Sequence, residues 1–279
     1  MIREISTAYH FPSKLLLFGE HTVVFGSRAL AVPYPNYFGK WSICNENSIS
    51  EKKILNDFID YLIDNCNQFL SIERLLVIQK SVLFFESNIP CGCGLGSSGA
   101  LCAAIYDYCS TEKTDLIVTK NQLARMENYF HGNSSGLDPL VSFTNSPLLI
   151  NKQKDIIKCS LPINIDNFFL WDSNIERKAA EQIGIFAQKM KLEDFKQMVY
   201  NDLIPLSNNC INAVLGKNTK ALIESFEKLS RFQLENLDFL IPKTVQEYWR
   251  KGLESKEYFM KLCGAGGGGY FLGLKNKPL

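Results

Sequence analysis

The segment Pro90-Cys-Gly-Cys-Gly-Leu-Gly-Ser-Ser-Gly99 gathers alternate glycines, two hydroxyls and a helix start in one short stretch. This composition suits a phosphate chain. Glycine admits backbone angles that turn successive N–H groups inward. The helix expected at Ala100-Leu-Cys-Ala-Ala-Ile-Tyr106 adds unpaired N–H groups and a favourable dipole. The backbone of Gly92, Gly94, Leu95, Gly96, Ser97, Ser98 and Gly99 is therefore the candidate phosphate cradle. Ser97 and Ser98 either cap the helix or supply oxygen to a magnesium ion. A glycine-rich turn capped by serine is the plain structural alternative. The Gly-Lys-Ser/Thr ending of a Walker loop is absent.

A second glycine run, Gly264-Ala-Gly-Gly-Gly-Gly269, is too dense for a strand interior and implies close backbone approach to another loop. The charged candidates are less distinctive one by one. Lys14 reads equally as a catalytic cation or a structural ion pair. Asp138, just after Gly136, is as natural a helix or turn cap as a catalytic group. Glu127 falls on a polar helix face, where an isolated Glu ordinarily meets solvent. His21 and Glu20 are either substrate contacts or packed polar residues. His131 suits a turn-holding role, and Cys91 and Cys93 suit small loop positions.

The rest of the chain has to position these groups. At 279 residues, with 46% hydrophobic and 21% charged residues, it can bury a sizeable core. A formal charge of +1 gives no basic surface for nucleic acid. Nine scattered cysteines and three histidines make no zinc spacing and fit thiols in a reducing compartment. No secretion leader or membrane-length apolar run is evident, so a cytoplasmic protein is expected.

Strands are expected at 14–18, at 29–32 before a proline-broken segment, at 74–85, 147–150, 168–171, 258–263 and 270–274. Helices are expected at 51–65, where Ile54, Leu55, Phe58, Ile59 and Leu62 share a face, and at 115–130. Further helices are expected at 176–191, 192–201, 217–229 and 243–253. Strands and helices mix throughout, which makes an α+β protein with an approximate boundary near 145.

Three separated segments coincide with one known pattern. Pro12-Ser-Lys-Leu-Leu-Leu-Phe-Gly-Glu-His-Thr-Val-Val-Phe-Gly26, the serine-glycine loop and Lys261-Leu-Cys-Gly-Ala-Gly-Gly-Gly-Gly-Tyr270 resemble the three motifs of the GHMP small-molecule kinase superfamily, in order. Within it, Gly-Glu-His-x-Val-Val-x-Gly and Glu127-Asn-Tyr-Phe-His-Gly-Asn-Ser-Ser-Gly-Leu-Asp138 resemble the mevalonate kinases. Galactokinases share Gly-Glu-His but usually continue differently.

The resemblance implies a two-lobed α+β fold with a central cleft where ATP and a small alcohol meet. It implies an N-terminal ATP-binding lobe over 1–145 and a C-terminal lobe over 146–279 that supplies the final glycine motif. By the same resemblance Ser98, with Ser97 as the less favoured choice, ligates Mg2+ together with Glu127. Asp138 sits beside the substrate hydroxyl, as a base or an orienting group, and Lys14 sits near Asp138 and the γ-phosphate. Glu20 and His21 approach the acceptor, with mevalonate the first substrate to test. Family likeness also suggests a homodimer, and neither nucleic acid nor membrane as partner.

Some positions depart from the mevalonate kinase pattern. Ser13 and Gly99 stand where Gly and Ala are usual, and Pro139 follows Asp138 where Asn is usual. The chain also ends soon after Gly269, which makes it a compact relative. A kinase for phosphomevalonate or a sugar is the enzyme alternative, although no Lys or Arg cluster marks the substrate motifs. An ATP-binding regulatory protein without turnover is the alternative of another class.

Overall fold

The computed structural model describes residues 5–161 and 167–276. It is a mixed α+β protein with antiparallel strands in two sheets. The chain divides into two compact units. The first comprises Met1–Leu15, Val32–Cys91 and Leu95–Ser146, and the second comprises Leu16–Ala31, Gly92–Gly94 and Pro147–Leu279. Strands β1 (Phe11–Phe18) and β2 (Ala29–Ile43) each contribute residues to both.

In the first unit the distal half of β2 pairs with β3 (Leu83–Ser87) from Gly39↔Ser87 to Ile43↔Leu83. Five helices accompany this ladder: α1 (Ile49–Cys66), α2 (Ile72–Lys80), α3 (Ser97–Cys109), α4 (Leu116–His131) and α5 (Leu137–Thr144). Helix α1 buries Leu55, Phe58, Ile59 and Leu62, while Ile54 at the edge of that stripe is exposed. Helix α4 starts on Asp115, whose carboxylate accepts from the N–H groups of Ile117 and Val118. That is an N-cap, and it relieves two otherwise unpaired donors.

Three expectations need correction here. The strand expected at 74–85 is helix α2 up to Lys80, and only its last residues, 83–85, lie in strand β3. Ser71 Oγ caps α2 by accepting from Arg74 N–H, and Leu75 and Ile78 are buried one turn apart. A short apolar run satisfies either period, and the cap decides it. Strand β2 also does not break at its prolines. Pro33 and Pro35 lie between the stretches Ala29–Ala31 and Gly39–Ile43 that pair with β4 and β3, so neither ladder lacks a donor there.

In the second unit the start of β2 pairs with β4 (Leu148–Ile150), which pairs with β5 (Ile156–Lys158). A three-stranded antiparallel sheet runs β6 (Phe168–Asp172), β8 (Tyr270–Lys275), β7 (Tyr258–Leu262). Its helices are α6 (Ala179–Lys189), α7 (Glu193–Met198), α8 (Ile204–Leu215), α9 (Thr219–Asn236) and α10 (Lys243–Ser255). The third correction falls here. The helix expected to end at Asn201 continues through a π turn, Val199–Leu203, into α8. Pro205, which has no N–H to donate, stands directly after that π turn in the first turn of α8. Trp249, Phe226, Phe259 and Phe271 are fully buried in this unit. No described helix is long and apolar enough to cross a membrane.

Candidate active site

In the first unit, β1 carries Lys14 and the first turn of α5 carries Asp138. Their side chains meet, with Lys14 Nζ 2.8 Å from Asp138 Oδ1. Lys14 is buried to 10% side-chain exposure and Asp138 retains 28%, so the pair is held by protein yet open on the carboxylate side. The Lys14 N–H donates to the Leu95 carbonyl at 2.9 Å, which ties β1 to the segment before α3.

Helix α3 opens at Ser97 behind Gly96, whose φ of 79° is left-handed. Gly92 and Gly94 share that conformation, at 74° and 78°. Alternate left-handed residues are the backbone arrangement that turns N–H groups toward an anion. The two serines then separate. Ser97 Oγ lies 3.8 Å from Cys91 Sγ, whereas Ser98 Oγ donates to Glu127 Oε1 at 3.0 Å.

Glu127 is not a solvent-facing residue. It follows Leu123 by one turn on the buried stripe of α4 and is only 3% exposed. Ser134 Oγ donates to its second oxygen. His131 Nε2 lies 2.9 Å from Ser98 Oγ, and donates to it when the Ser98 proton is used on Glu127. Burial, with the Asp138 charge behind it, raises the Glu127 carboxyl to about 7, against the opposing hydrogen bonds of Ser134 and Ser98 and the charge of Lys14. A carboxylate so placed gains from a cation beside it.

The donor chemistry fits Mg2+. A hydroxyl and a carboxylate oxygen, 3.0 Å apart, are hard ligands. Among the described residues no group of three or more His, Cys, Asp or Glu side chains converges.

The second unit holds the other candidate charged residues by different means. Glu20 is 7% exposed and accepts from Lys261, which is fully buried on β7. Burial lowers the Lys261 pKa. His21 adopts φ 60°, an unusual conformation for a non-glycine residue, and is held in it from two sides. Its Nε2 donates to the Ala265 carbonyl at 3.0 Å, and its ring stacks on Phe186 at 4.5 Å. The Arg177 guanidinium packs against Gly94 and Gly264, in the space a Cβ on either would enter. Its Nε is buried and has no hydrogen-bond partner among the described residues.

The structure thus brings together Lys14 with Asp138, and Ser98 with Glu127. It turns Glu20 to Lys261 and His21 to Ala265. Lys261, Arg177 and Ser134 are residues whose roles sequence reasoning did not assign, and His131, expected to hold a turn, lies against Ser98 instead. For Lys261 a signal existed: a lone Lys inside Tyr258-Phe-Met-Lys-Leu-Cys263 demands a buried counter-charge. For Arg177 none existed, because its neighbours are glycines distant in sequence.

Residues 59–145 match the sequence profile described as GHMP kinases N terminal domain. A mevalonate kinase of Archaeoglobus fulgidus is 26% identical over 94% of this chain and 90% of its own length. The crystal structure of L. major mevalonate kinase in complex with R-mevalonate has a TM-score of 0.67 at 14% identity, over 99% of this chain and 90% of that one. The phosphomevalonate kinase of Streptococcus pneumoniae has a TM-score of 0.63 at 14% identity, over 98% and 92%. Both structural likenesses concern the fold. With the three motifs in order, the matching N-terminal profile and relatives similar over nearly the full length, the chain is most similar to the GHMP kinases, enzymes that transfer a phosphoryl group to a small alcohol, and residues 59–145 carry their N-terminal domain.

Proposed function

We propose that this protein is a mevalonate kinase, transferring the γ-phosphoryl group of ATP to mevalonate to give 5-phosphomevalonate and ADP. The observation that carries the reading is the Lys14–Asp138 ion pair at 2.8 Å. Full-length likeness to the Archaeoglobus fulgidus mevalonate kinase supports the choice of acceptor.

Phosphoryl transfer asks for held phosphates, compensated charge and an aligned hydroxyl. In this reading the backbone from Gly92 to Gly99 holds the phosphates. Asp138 takes the hydrogen bond of the acceptor hydroxyl and orients its oxygen for attack. Lys14 pairs with the Asp138 carboxylate and offsets charge on the moving phosphoryl group. Ser98 and Glu127 hold Mg2+, which when bound offsets the charge on the phosphate oxygens. The Arg177 guanidinium, packed against Gly94 and with a buried Nε that has no hydrogen-bond partner among the described residues, is the further cation assigned to phosphate at that glycine. Glu20 and His21 shape the acceptor side by fixing the turn after β1. The same reading makes the protein cytoplasmic.

The test is magnesium-dependent ADP formation with mevalonate, phosphomevalonate, galactose and homoserine, with the product identified by mass spectrometry. Phosphomevalonate formed from mevalonate, and lost in Asp138→Asn, is the expected result. Turnover of another acceptor alone would reassign the substrate, and ATP binding without any product would favour a regulatory protein.

A further inference from the structure

Gly99 is the third residue of α3, and its φ is not left-handed. A glycine inside a helix costs about 1 kcal/mol against alanine. Conformational need therefore does not account for it, but its surroundings do. A Cβ on Gly99 would lie 2.8 Å from the backbone nitrogen of Pro139, 3.0 Å from the carbonyl carbon of Asp138 and 3.1 Å from Asp138 Cβ. These are atoms of the first turn of α5, and none is the free end of a flexible side chain. Something would have to shift.

The residue that would shift is the one whose carboxylate meets Lys14. Pro139 makes the turn stiffer still, since its ring locks φ and removes one means of retreat for the Asp138–Pro139 peptide. Gly99 and Pro139, two of the three departures noted in the sequence, thus occupy a single contact between α3 and α5. Gly96 borders the same side chain, its missing Cβ falling 3.4 Å from Asp138 Cβ.

We propose that Gly99 and Pro139 are a coupled positioning pair that seats α5 against α3 and sets the Asp138 carboxylate opposite Lys14. The proposal rests on the reading of Asp138 as the acceptor-side carboxylate. One turn of α3 then positions both carboxylates: Ser98 holds Glu127 by a hydrogen bond, and Gly99 admits Asp138 by having no side chain.

The test is a double-mutant cycle on the full chain, by steady-state kinetics with Mg-ATP and the acceptor the wild type uses. Gly99→Ala is expected to lower kcat by about 10²-fold, the scale of a misplacement of about 1 Å. The KM for ATP is expected to stay within about threefold, since the lost interaction belongs to the transition state. Gly99→Ala/Pro139→Asn is expected to regain at least about tenfold in kcat, a coupling of about 1.4 kcal/mol. A Gly99→Ala enzyme as fast as wild type, or a double variant no faster than the single, overturns the proposal.

If Gly99→Ala does not fold, the double variant decides. A folded double variant within about tenfold of the wild-type kcat supports the pair, and one about 10²-fold or more below it overturns the pair. Failure of the underlying reading looks different, because Asp138→Asn then keeps its turnover or the wild type phosphorylates nothing. In that case crystal structures still decide the positioning. A Lys14–Asp138 distance unchanged from 2.8 Å in Gly99→Ala overturns it, and a lengthened one restored in the double variant supports it.

Discussion

Lys14 Nζ stands 2.8 Å from Asp138 Oδ1, a cation from the first strand against a carboxylate from the fifth helix. The pair is part-buried, so each charge has lost water that its partner must replace. Asp138→Asn keeps the shape and removes the charge. It is expected to lower kcat by about 10²–10⁴-fold, the range of a group that handles a proton in the transition state. Lys14→Met is expected to cost about 10²–10³-fold. Initial rates of ADP formation check both, and near-wild-type rates in either would remove that residue from the chemistry.

Ser98 and Glu127 are expected to act together on magnesium. Glu127→Gln keeps an oxygen at the site but loses the charge that a hard cation needs. The Mg2+ concentration for half-maximal rate should rise at least about tenfold, or about 1.4 kcal/mol of lost binding. Ser98→Ala should move it the same way, whereas Ser97→Ala should leave it nearly unchanged. A magnesium titration at fixed ATP reads this, and equal effects of the two serines would break the assignment.

His21 predicts an acid-sensitive second unit. Burial lowers its pKa from the ordinary 6.5 to about 4, outweighing the hydrogen bond with Ala265. Between these values the unfolded chain takes up a proton that the folded chain refuses. The stabilisation is therefore complete above pH 6.5 and is lost as the pH falls toward 4, amounting to about 3 kcal/mol at most. His21→Gln should flatten that part of the profile. Urea unfolding at pH 7, 5.5 and 4.5 measures the slope, and equal slopes in both proteins would refute it.

Lys261 and Glu20 form a buried pair in the second unit. Removing one partner strands the other, so Lys261→Met should destabilise by about 3–5 kcal/mol. Lys261→Met/Glu20→Gln should recover part of the loss, since no unpaired charge remains. Thermal unfolding of both variants distinguishes a structural pair from residues that matter only to turnover.

Much of this was legible in the residues. Glycine and serine spacing announced the loop and the start of α3, because turn and cap preferences act over a few neighbouring positions. The Leu55, Phe58, Ile59 and Leu62 stripe announced α1 for the same local reason. Helix α2 was misread as strand because a short apolar run carries both periods, and the deciding signal was one hydroxyl on Ser71.

By itself, the sequence determined the ordered motifs and the α+β character, each resting on residue type and short-range spacing, while the expectation of kinase chemistry came from the family resemblance those motifs carry. Only the tertiary structure decided that Ser98 rather than Ser97 meets Glu127, that Glu127 is buried, that Glu20 is bound to Lys261 and that Gly99 abuts Asp138. Those facts join residues far apart in the chain. They depend on which helix and strand faces pack together, and local preferences leave that choice open.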